Sequence, residues 1–448
     1  MSKRRAASRS WLSALAAAAC LMLLAPAAEA TVRYAEPGGD GPQPCAEANP
    51  CAIEDAIEDA TVSEGDEIVL LPGDYDLGSD QIQMSGTGVT VRGALSQPRP
   101  RIISSHPSSA FGAFGTQHVL SDFEISYSGG GSGLSGNFRA TVERLFVHAT
   151  APSATACGID FETILRDSVC WAPGAAIQIA MGFGPQPDPI AVAATIRNVT
   201  AVGGGYGLEA AAGQAVAYEI NVRNSILSGG VADVAAFTGA ADATSAVDVN
   251  FSNYASVARD GVGTESVDAP GSAANQTDPP LFVNAPGGDF HQLPTSPTVN
   301  AGNAGVAGLG SADIDGETRV FGPTVDIGAD EIQLDLAVDG ARLQARRTQR
   351  QGKRIRVKAK AFAAEPVDLA GGGVIRLKGR SYPLKPVDRA AAAGERVRLA
   401  LKPAKKAHRS KIARALRRGK KVRAKVIAGF TDAAANSATL KKTVRLKP

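Results

Sequence analysis

The acidic side chains that could do chemistry fall in two parts of this 448-residue chain. Asp160, Glu162 and Asp167 lie close together, and Asp122 belongs to an earlier segment of similar sequence. Two carboxylates held at a suitable separation act as general acid and general base in glycoside cleavage. An acidic region also contains many accidental pairs of carboxylates. These four residues are candidates for an acid–base pair, and solvated surface charges are the alternative.

A denser set of oxygen ligands follows later in the chain. Its first part, Asp313-Ile-Asp-Gly316, has the pattern that opens a calcium-binding loop. The distal glutamate that completes such a loop at the usual spacing is absent. Turn-forming aspartates that accept hydrogen bonds from backbone amides are the alternative. Calcium is the one cofactor indicated, and its candidate ligands are Asp313, Asp315, Asp326, Asp330 and Glu331.

Three arginines, Arg166, Arg197 and Arg223, occupy the same position in successive segments. If these segments stack in register, the three guanidinium groups line one column and repel one another. An anionic sugar or phosphate would relieve that repulsion. Glu162 and Glu219 could neutralise the column without any ligand. The column is therefore a candidate anion-binding site with a structural alternative.

Histidine and tryptophan add little to these candidates. The five histidines are scattered, and none has a partner at a spacing typical of a metal site or a nucleophile relay. Solvated or packing roles are therefore expected for them. Beyond residue 30 there is one tryptophan, Trp171. This argues against tight glycan binding by aromatic stacking, although weak multivalent binding remains compatible with the sequence.

The elements that must position these residues are short strands that recur between residues 120 and 254. Their starts are separated by 22, 23, 31 and 26 residues. These intervals are too short for a crossover helix, and no apolar 3.6-residue pattern fills them. One strand signal per repeat, without a helix, indicates a solenoid, here a parallel β-helix. The repeats are LSDFEI (120–125), VERLFV (142–147), LRDSV (165–169), IRNVT (196–200) and VRNSI (222–226).

The third position of each repeat predicts a turn. It holds Asp122, Arg144, Asp167, Asn198 and Asn224. Asn and Asp tolerate a left-handed backbone and bond to their own turns. A ladder of such residues is expected to be structural. The apolar positions predict that Ile125, Val147, Val169 and Ile226 point into the core.

The start of the chain predicts export. Basic residues, an apolar run and Ala28-Glu-Ala30 make residues 1–30 a secretory signal peptide. No later segment is long enough to span a membrane, so no transmembrane segment is expected after cleavage. Cys45, Cys51, Cys157 and Cys170 remain, and an even count in an exported protein suggests disulfides. Proximity in sequence favours Cys45 with Cys51 and Cys157 with Cys170 among three possible connectivities, and no CxxC pair supports a metal site instead.

The formal charge of +3 conceals two opposed parts. Residues 31–334 contain 11 Lys/Arg and 36 Asp/Glu, for a net charge of −25. Residues 335–448 contain 32 Lys/Arg and 7 Asp/Glu, for a net charge of +25. Such a step in composition predicts a domain boundary near residue 334.

Two stretches resemble known families. Residues 31–77 combine Cys45 and Cys51, an apolar helical face at Ile53, Ala56, Ile57 and Ala60, a strand at 67–71 and Pro72-Gly-Asp-Tyr75. This order resembles the start of exported pectate-lyase-like right-handed β-helix proteins, in which the helix covers the open end of the coils. Residues 277–334, with Asp313-Ile-Asp-Gly316 and Val325-Asp-Ile-Gly-Ala-Asp-Glu331, resemble the choice-of-anchor Q region that closes many bacterial β-helices. That resemblance implies a surface or exported protein and no established reaction.

Residues 335–448 alternate apolar and charged residues, which predicts strands with one buried face. A short helix is predicted over residues 411–418, capped by Ser410 and ended by Gly419. This pattern suggests a small immunoglobulin-like β-sandwich. It is similar to basic C-terminal modules of exported actinobacterial proteins.

Together these patterns predict an all-β protein. It comprises a signal peptide (1–30), a parallel β-helix with an N-terminal capping helix (31–276), a closing region (277–334) and a small basic β-sandwich (335–448). The resemblance to pectate-lyase-like proteins implies that the β-helix is right-handed. The first functional hypothesis is an exported, non-catalytic protein of the cell surface or matrix that binds polysaccharide or an anionic cell-wall polymer. The second is a divergent polysaccharide lyase or glycoside hydrolase. Export argues against nucleic acid as a partner.

Overall fold

The computed structural model describes residues 30–448, apart from 183–187, 273, 334–336, 353 and 433–435. The predicted signal peptide lies outside the described residues, except for Ala30. The chain forms two compact units, one ending at Gln333 and one beginning at Leu334. Nearly all of the regular structure is β, which confirms the predicted fold class. Among the described residues, no helix has the length and apolar character needed to cross a membrane.

The first unit is a parallel β-solenoid of about seven turns, in which each turn adds one strand to each of three sheets. Sheet 1 contains β1 (Val32–Ala35), β2 (Glu67–Leu70), β5 (Thr90–Gly93), β8 (Val119–Ser121), β11 (Thr141–Glu143), β14 (Thr163–Arg166), β17 (Ile190–Arg197), β20 (Val216–Arg223), β23 (Thr244–Asn250) and β25 (Thr264–Val267). Sheet 2 contains β3 (Asp74–Asp76), β6 (Arg101–Ser104), β9 (Glu124–Tyr127), β12 (Phe146–Ala149), β15 (Val169–Ala172), β18 (Thr200–Gly203) and β21 (Ile226–Gly229). Sheet 3 contains β4 (Ile82–Thr87), β7 (Ser109–Thr116), β10 (Ser132–Phe138), β13 (Thr155–Gly158), β16 (Ala175–Met181), β19 (Tyr206–Ala212), β22 (Ala232–Thr238) and β24 (Val257–Gly261).

The turn column between sheet 1 and sheet 2 confirms the predicted ladder. Asp122, Arg144, Asp167, Asn198 and Asn224 all have positive φ, between 48° and 64°. Each residue turns the chain from a strand of sheet 1 into a strand of sheet 2. Asn and Asp adopt this left-handed conformation at low cost, which explains why they dominate the column.

The register of sheet 2 corrects two of the four predicted core positions. Ile125 pairs with Val147, and Val147 pairs with Cys170, so this row faces the core. Val169 lies one residue before Cys170 and therefore points to the other face, because side chains alternate along a strand. Ile226 lies in the same outward row as Val169. Both are buried, but against the chain that follows the solenoid rather than inside it.

The ends and the covalent links of the solenoid agree with the sequence. Helix α1 (Ile53–Glu58) buries Ile53, Ala56 and Ile57 in the same core as the strands, whereas Ala60 lies beyond its end and is exposed. Disulfides join Cys45 to Cys51 and Cys157 to Cys170, as predicted. The second disulfide links sheet 3 to sheet 2 within one turn of the solenoid.

Residues 277–333 form a tail that packs on the outside of sheet 2. A hairpin of β26 (Phe282–Asn284) and β27 (Asp289–Gln292), joined by a 3-10 helix (Ala285–Gly287), places Phe290 against Val169 and the Trp171 ring. The chain then follows the turn column. There the Asn224 side chain bonds to the backbone of Asn303 through both its amide nitrogen (3.1 Å) and its oxygen (2.8 Å). The tail thus covers the side of the stack.

The second unit has its own apolar core between two sheets. A three-stranded sheet contains β28 (Arg342–Gln344), β30 (Val357–Phe362) and β34 (Val397–Leu401). A six-stranded sheet contains β29 (Thr348–Arg350), β31 (Val367–Leu377), β32 (Arg380–Pro383), β33 (Val387–Ala391), β35 (Val422–Thr431) and β36 (Ser437–Lys447). Helix α2 (Lys406–Arg417) begins five residues before the predicted start, so Ser410 lies inside it and is not its cap. The immunoglobulin-like type of this second unit stays a prediction.

Candidate functional site

Three of the four carboxylates proposed as an acid–base pair already have arginine partners. Asp122 forms two hydrogen bonds with Arg144, at 2.7 and 2.8 Å. Glu162 pairs with exposed Arg139 at 2.8 Å. Asp167, fully buried, lies 3.1 Å from the Arg319 guanidinium.

Asp160 is different, because burial alone raises the pKa of its carboxyl group to about 6. No hydrogen bond or ion pair to its side chain is found within the described part of the chain. The four carboxylates are therefore distributed over separate contacts, and their catalytic role stays a prediction.

The predicted arginine column exists in the register of sheet 1. Arg166 pairs with Arg197, and Arg197 pairs with Arg223, on adjacent strands. Arg166 bonds to Glu143 at 2.5 and 2.8 Å, and Arg223 bonds to Asp248 at 2.6 Å. The neutralising carboxylates are thus different from the Glu162 and Glu219 named above.

Arg197, between the two neutralised arginines, bonds to backbone carbonyls. Its Nη1 donates to Asn221 O at 2.8 Å and to Ile196 O at 3.0 Å. Burial, and then the charge of Arg223, lower the pKa of Arg197 to about 10. These carbonyls already occupy the side chain, so the column has structural partners, and its ligand-binding role stays a prediction.

The acidic residues of the tail mostly bind backbone amides. Asp313 accepts from the amides of Asp315 (3.1 Å) and Glu317 (2.7 Å) through one oxygen, and from Glu331 N (3.1 Å) through the other. Asp326 accepts from Asn300 N and Ile332 N at 2.5 and 2.8 Å.

The Glu331 carboxylate also accepts from two amides, Phe321 N at 3.0 Å and Asp326 N at 2.8 Å. Asp313, Asp326 and Glu331 thus shape turns, the alternative considered above. The other two predicted calcium ligands, Asp315 and Asp330, instead lie beside His291. A calcium site stays a prediction.

Arg319 ties this acidic tail to the solenoid. Its side chain is completely buried between Asp167 of the turn column (3.1 Å) and Glu331 of the tail (3.7 Å). It also donates to the backbone carbonyls of Gly328 and Ala329. A buried guanidinium that bridges two carboxylates and two carbonyls fixes the position of the tail on the stack.

The single tryptophan of the solenoid has a packing role. The Trp171 ring stacks on the imidazole of His148 with centroids 3.8 Å apart and lies edge-on to Phe290 at 5.5 Å. The tail backbone at Gly288 lies directly against the same indole ring. Trp171 is therefore covered by the tail, in agreement with the absence of an aromatic sugar platform in the sequence.

The second unit contrasts with the first in its exposed charges. Along β30 and β34, buried apolar residues alternate with exposed basic ones, so that Lys358, Lys360 and Arg398 lie on the outer face of one sheet. One ion pair is found among the described residues of this unit, and it joins Arg389 to Glu395 at 2.9 Å. Most of its basic side chains therefore lack a carboxylate partner.

A groove of about 980 Å³ collects seven of these cations beside helix α2. The helix buries Ile412 and Leu416, four residues apart, in the core of the unit. That orientation places one flank of the helix, with Lys406, Arg409 and Arg417, along the groove. The opposite wall comes from the chain that enters β30. The basic residues that line the groove are Arg354, Arg356, Lys402, Lys406, Arg409, Arg414 and Arg417.

The groove is suited to an extended anion. None of its described lining residues has an acidic side chain, and Ile355 and Leu416 provide its apolar floor. Arginine binds carboxylate and phosphate through two parallel N–H donors, and several such groups in a row fit a repeating anionic chain. The sequence revealed the basic composition but not the groove, because its two walls lie some fifty residues apart in the chain. The spacing of Lys406, Arg409, Ala413 and Arg417 along one helical flank was the available signal.

Comparisons with known proteins yield no assignment. No protein-family model matches the chain, and no curated protein matches it significantly. The solenoid itself is consistent with a pectate-lyase-like β-helix. The choice-of-anchor Q assignment of the tail stays a prediction.

Proposed function

We propose that this protein is exported and that its basic module attaches the β-helix to an anionic polymer of the cell surface or extracellular matrix. The observation that carries the proposal is the groove, which seven cations line without an acidic side chain among its described lining residues. Repulsion between these cations decreases when a polyanion lies among them. The polymer supplies carboxylate or phosphate groups at regular intervals.

Features of the first unit support this proposal. A parallel β-helix is consistent with a polysaccharide-related role. Two disulfides suit an oxidising compartment outside the cytosol. Most arginines of this unit have a carboxylate partner, and three of its four candidate catalytic carboxylates are among those partners, so the proposal gives this unit a scaffolding role and no catalytic one.

The test is retention of the chain from residue 31 onwards on immobilised polygalacturonate and on a poly(glycerol phosphate). We expect retention at 0.1 M salt and release by 1 M salt, because the Debye length falls from about 10 Å to about 3 Å. Lys406→Glu with Arg417→Glu, both in the groove, should weaken binding about tenfold or more. The two polymers separate carboxylate recognition from phosphate recognition.

The matched control is Lys411→Glu with Arg418→Glu. These residues belong to the same helical segment and change the net charge equally, but neither lines the groove. The control should bind at least about fivefold more tightly than the groove variant, because long-range attraction falls equally in both and only the groove variant loses direct contacts. Equal losses in the two variants would reduce the interaction to net charge, and no retention at low salt would refute the proposal.

A further inference from the structure

Three side chains of the tail converge beside the aromatic hairpin. His291 Nε2 lies 2.9 Å from Asp315 Oδ2. One possible metal-ligand atom from each of His291, Asp315 and Asp330 lies within 4.8 Å of the other two. The three residues come from separate segments, namely β27, the turn after Asp313 and the end of the tail. Their approach therefore depends on the folded tail.

The imidazole is held in an orientation that suits metal binding. Asp289 and His291 alternate with buried Phe290 on β27, so both point to the solvent-facing side of the hairpin. Nδ1 of His291 lies 2.6 Å from Asp289 Oδ1 and can donate a hydrogen bond to it. A carboxylate on one ring nitrogen fixes the tautomer and directs the other nitrogen toward a metal ion. Here that other nitrogen faces Asp315.

Asp330 is the buried member of this cluster, with 8% of its surface exposed. Among the described residues, one hydrogen bond to its carboxylate is found, which Gln292 N donates to Oδ2 at 2.7 Å. A buried carboxylate is costly unless it is fully paired. The Arg99 guanidinium, which lies near Asp315, donates to the Ile314 carbonyl. A divalent ion would supply the missing partner.

We propose that His291, Asp315 and Asp330 bind a divalent transition-metal ion of the zinc class, with Asp289 as the positioning residue. One imidazole nitrogen with two carboxylate oxygens suits zinc better than calcium, which prefers six to eight oxygen ligands. His291 and Asp315 are exposed, so the fourth position faces solvent and takes water. The ion links the hairpin, the turn after Asp313 and the end of the tail, and so fastens the tail over sheet 2.

The test is zinc binding by the untagged chain from residue 31 onwards, after treatment with a chelator. Equilibrium dialysis and calorimetry should give one zinc ion per chain and a rise in melting temperature with zinc concentration. His291→Ala should abolish stoichiometric binding at micromolar zinc. Asp289→Asn should weaken binding about 10- to 100-fold while keeping the stoichiometry, as expected of a positioning residue.

Two controls make the result decisive. Asp278→Asn removes an exposed aspartate of the same tail, and His106→Ala removes a histidine outside it, so neither should change zinc binding. Circular dichroism of each variant separates loss of binding from loss of folding. His291 is the ligand chosen for substitution because it is exposed, whereas Asp330 is buried. Absence of zinc binding, or binding that survives His291→Ala, would refute the proposal. The cluster would then be an ion pair of imidazolium with Asp289 and Asp315. Stoichiometric calcium binding without zinc binding would also refute it.

Discussion

In the solenoid unit most arginines lie beside carboxylates, whereas in the groove of the second unit they lie beside other cations. Arg144, for example, bridges Asp122 and Glu143 at 2.7 and 2.8 Å. In the groove, Arg354 and Arg414 have no carboxylate partner among the described residues. Arginines that are already paired contribute to the fold of the first unit, whereas the unpaired cations of the groove remain available to a partner. Under the proposed function, the first unit is the scaffold and the second is the attachment module.

The largest effect is expected at Arg319. Arg319→Met leaves Asp167 and Glu331 buried without their cation, and breaking a buried pair in this way costs about 3–5 kcal/mol. Urea denaturation should show this loss. Arg139→Met removes an exposed pair with Glu162 and should cost less than about 1 kcal/mol. Similar losses in the two variants would show that the buried bridge does not fix the tail.

The disulfide inside the solenoid should rank next. Replacing Cys157 and Cys170 by Ala frees a loop of about 14 residues, and loop-closure entropy predicts a loss of about 3 kcal/mol. The same change at Cys45 and Cys51 frees about 7 residues and predicts about 2.4 kcal/mol. Thermal unfolding without and with reductant measures both. Unchanged stability in the double variants would mean that packing alone holds the turns.

Asp160 should make stability depend on pH. Burial raises its pKa to about 6 in the folded chain, above the ordinary value of 3.8. The folded state therefore holds this proton more tightly than the unfolded state, and its contribution falls as pH rises from about 4 to about 6. Asp160→Asn should stabilise the chain at pH 7 by about 1–3 kcal/mol and hardly at pH 3.5. Exposed Asp242→Asn is the control, and an equal gain at both pH values would contradict this account.

The smallest effect on stability is expected in the groove. Lys406→Glu with Arg417→Glu removes cations that have no ion-pair partner among the described residues, so unfolding free energy should change by less than about 0.5 kcal/mol. Chemical denaturation of the second unit measures this. A larger loss would mean that these cations support the fold and are not reserved for a ligand.

Much of the fold could be predicted because the solenoid repeats its pattern. The third position of the repeats, which is Asp or Asn in four of the five, predicted the left-handed turns, and all five residues have them. The prediction of the inward row failed at Val169 and Ile226, because these residues lie two positions after the turn residue, whereas the inward Ile125 and Val147 lie three positions after it. One residue of shift reverses the face of a strand.

The candidate sites were harder to predict because they depend on contacts between distant segments. His291 looked isolated in sequence, yet folding of the tail brings it 2.9 Å from Asp315, 24 residues away. Arg319 similarly meets Asp167 from a remote part of the chain. Residue types alone indicated acidic turns and basic strands, whereas the partner of each charge emerged only with the fold.

The most direct test of the division between the two units is arginine footprinting of the whole chain from residue 31 onwards. Phenylglyoxal modification is followed by mass spectrometry, with and without the anionic polymer that retains the chain best. If the groove binds the polymer, the polymer protects Arg354, Arg414 and Arg417 in the groove and leaves exposed Arg139 of the solenoid reactive. Protection of Arg166 or Arg223 in the solenoid column, with the groove arginines still reactive, would contradict it.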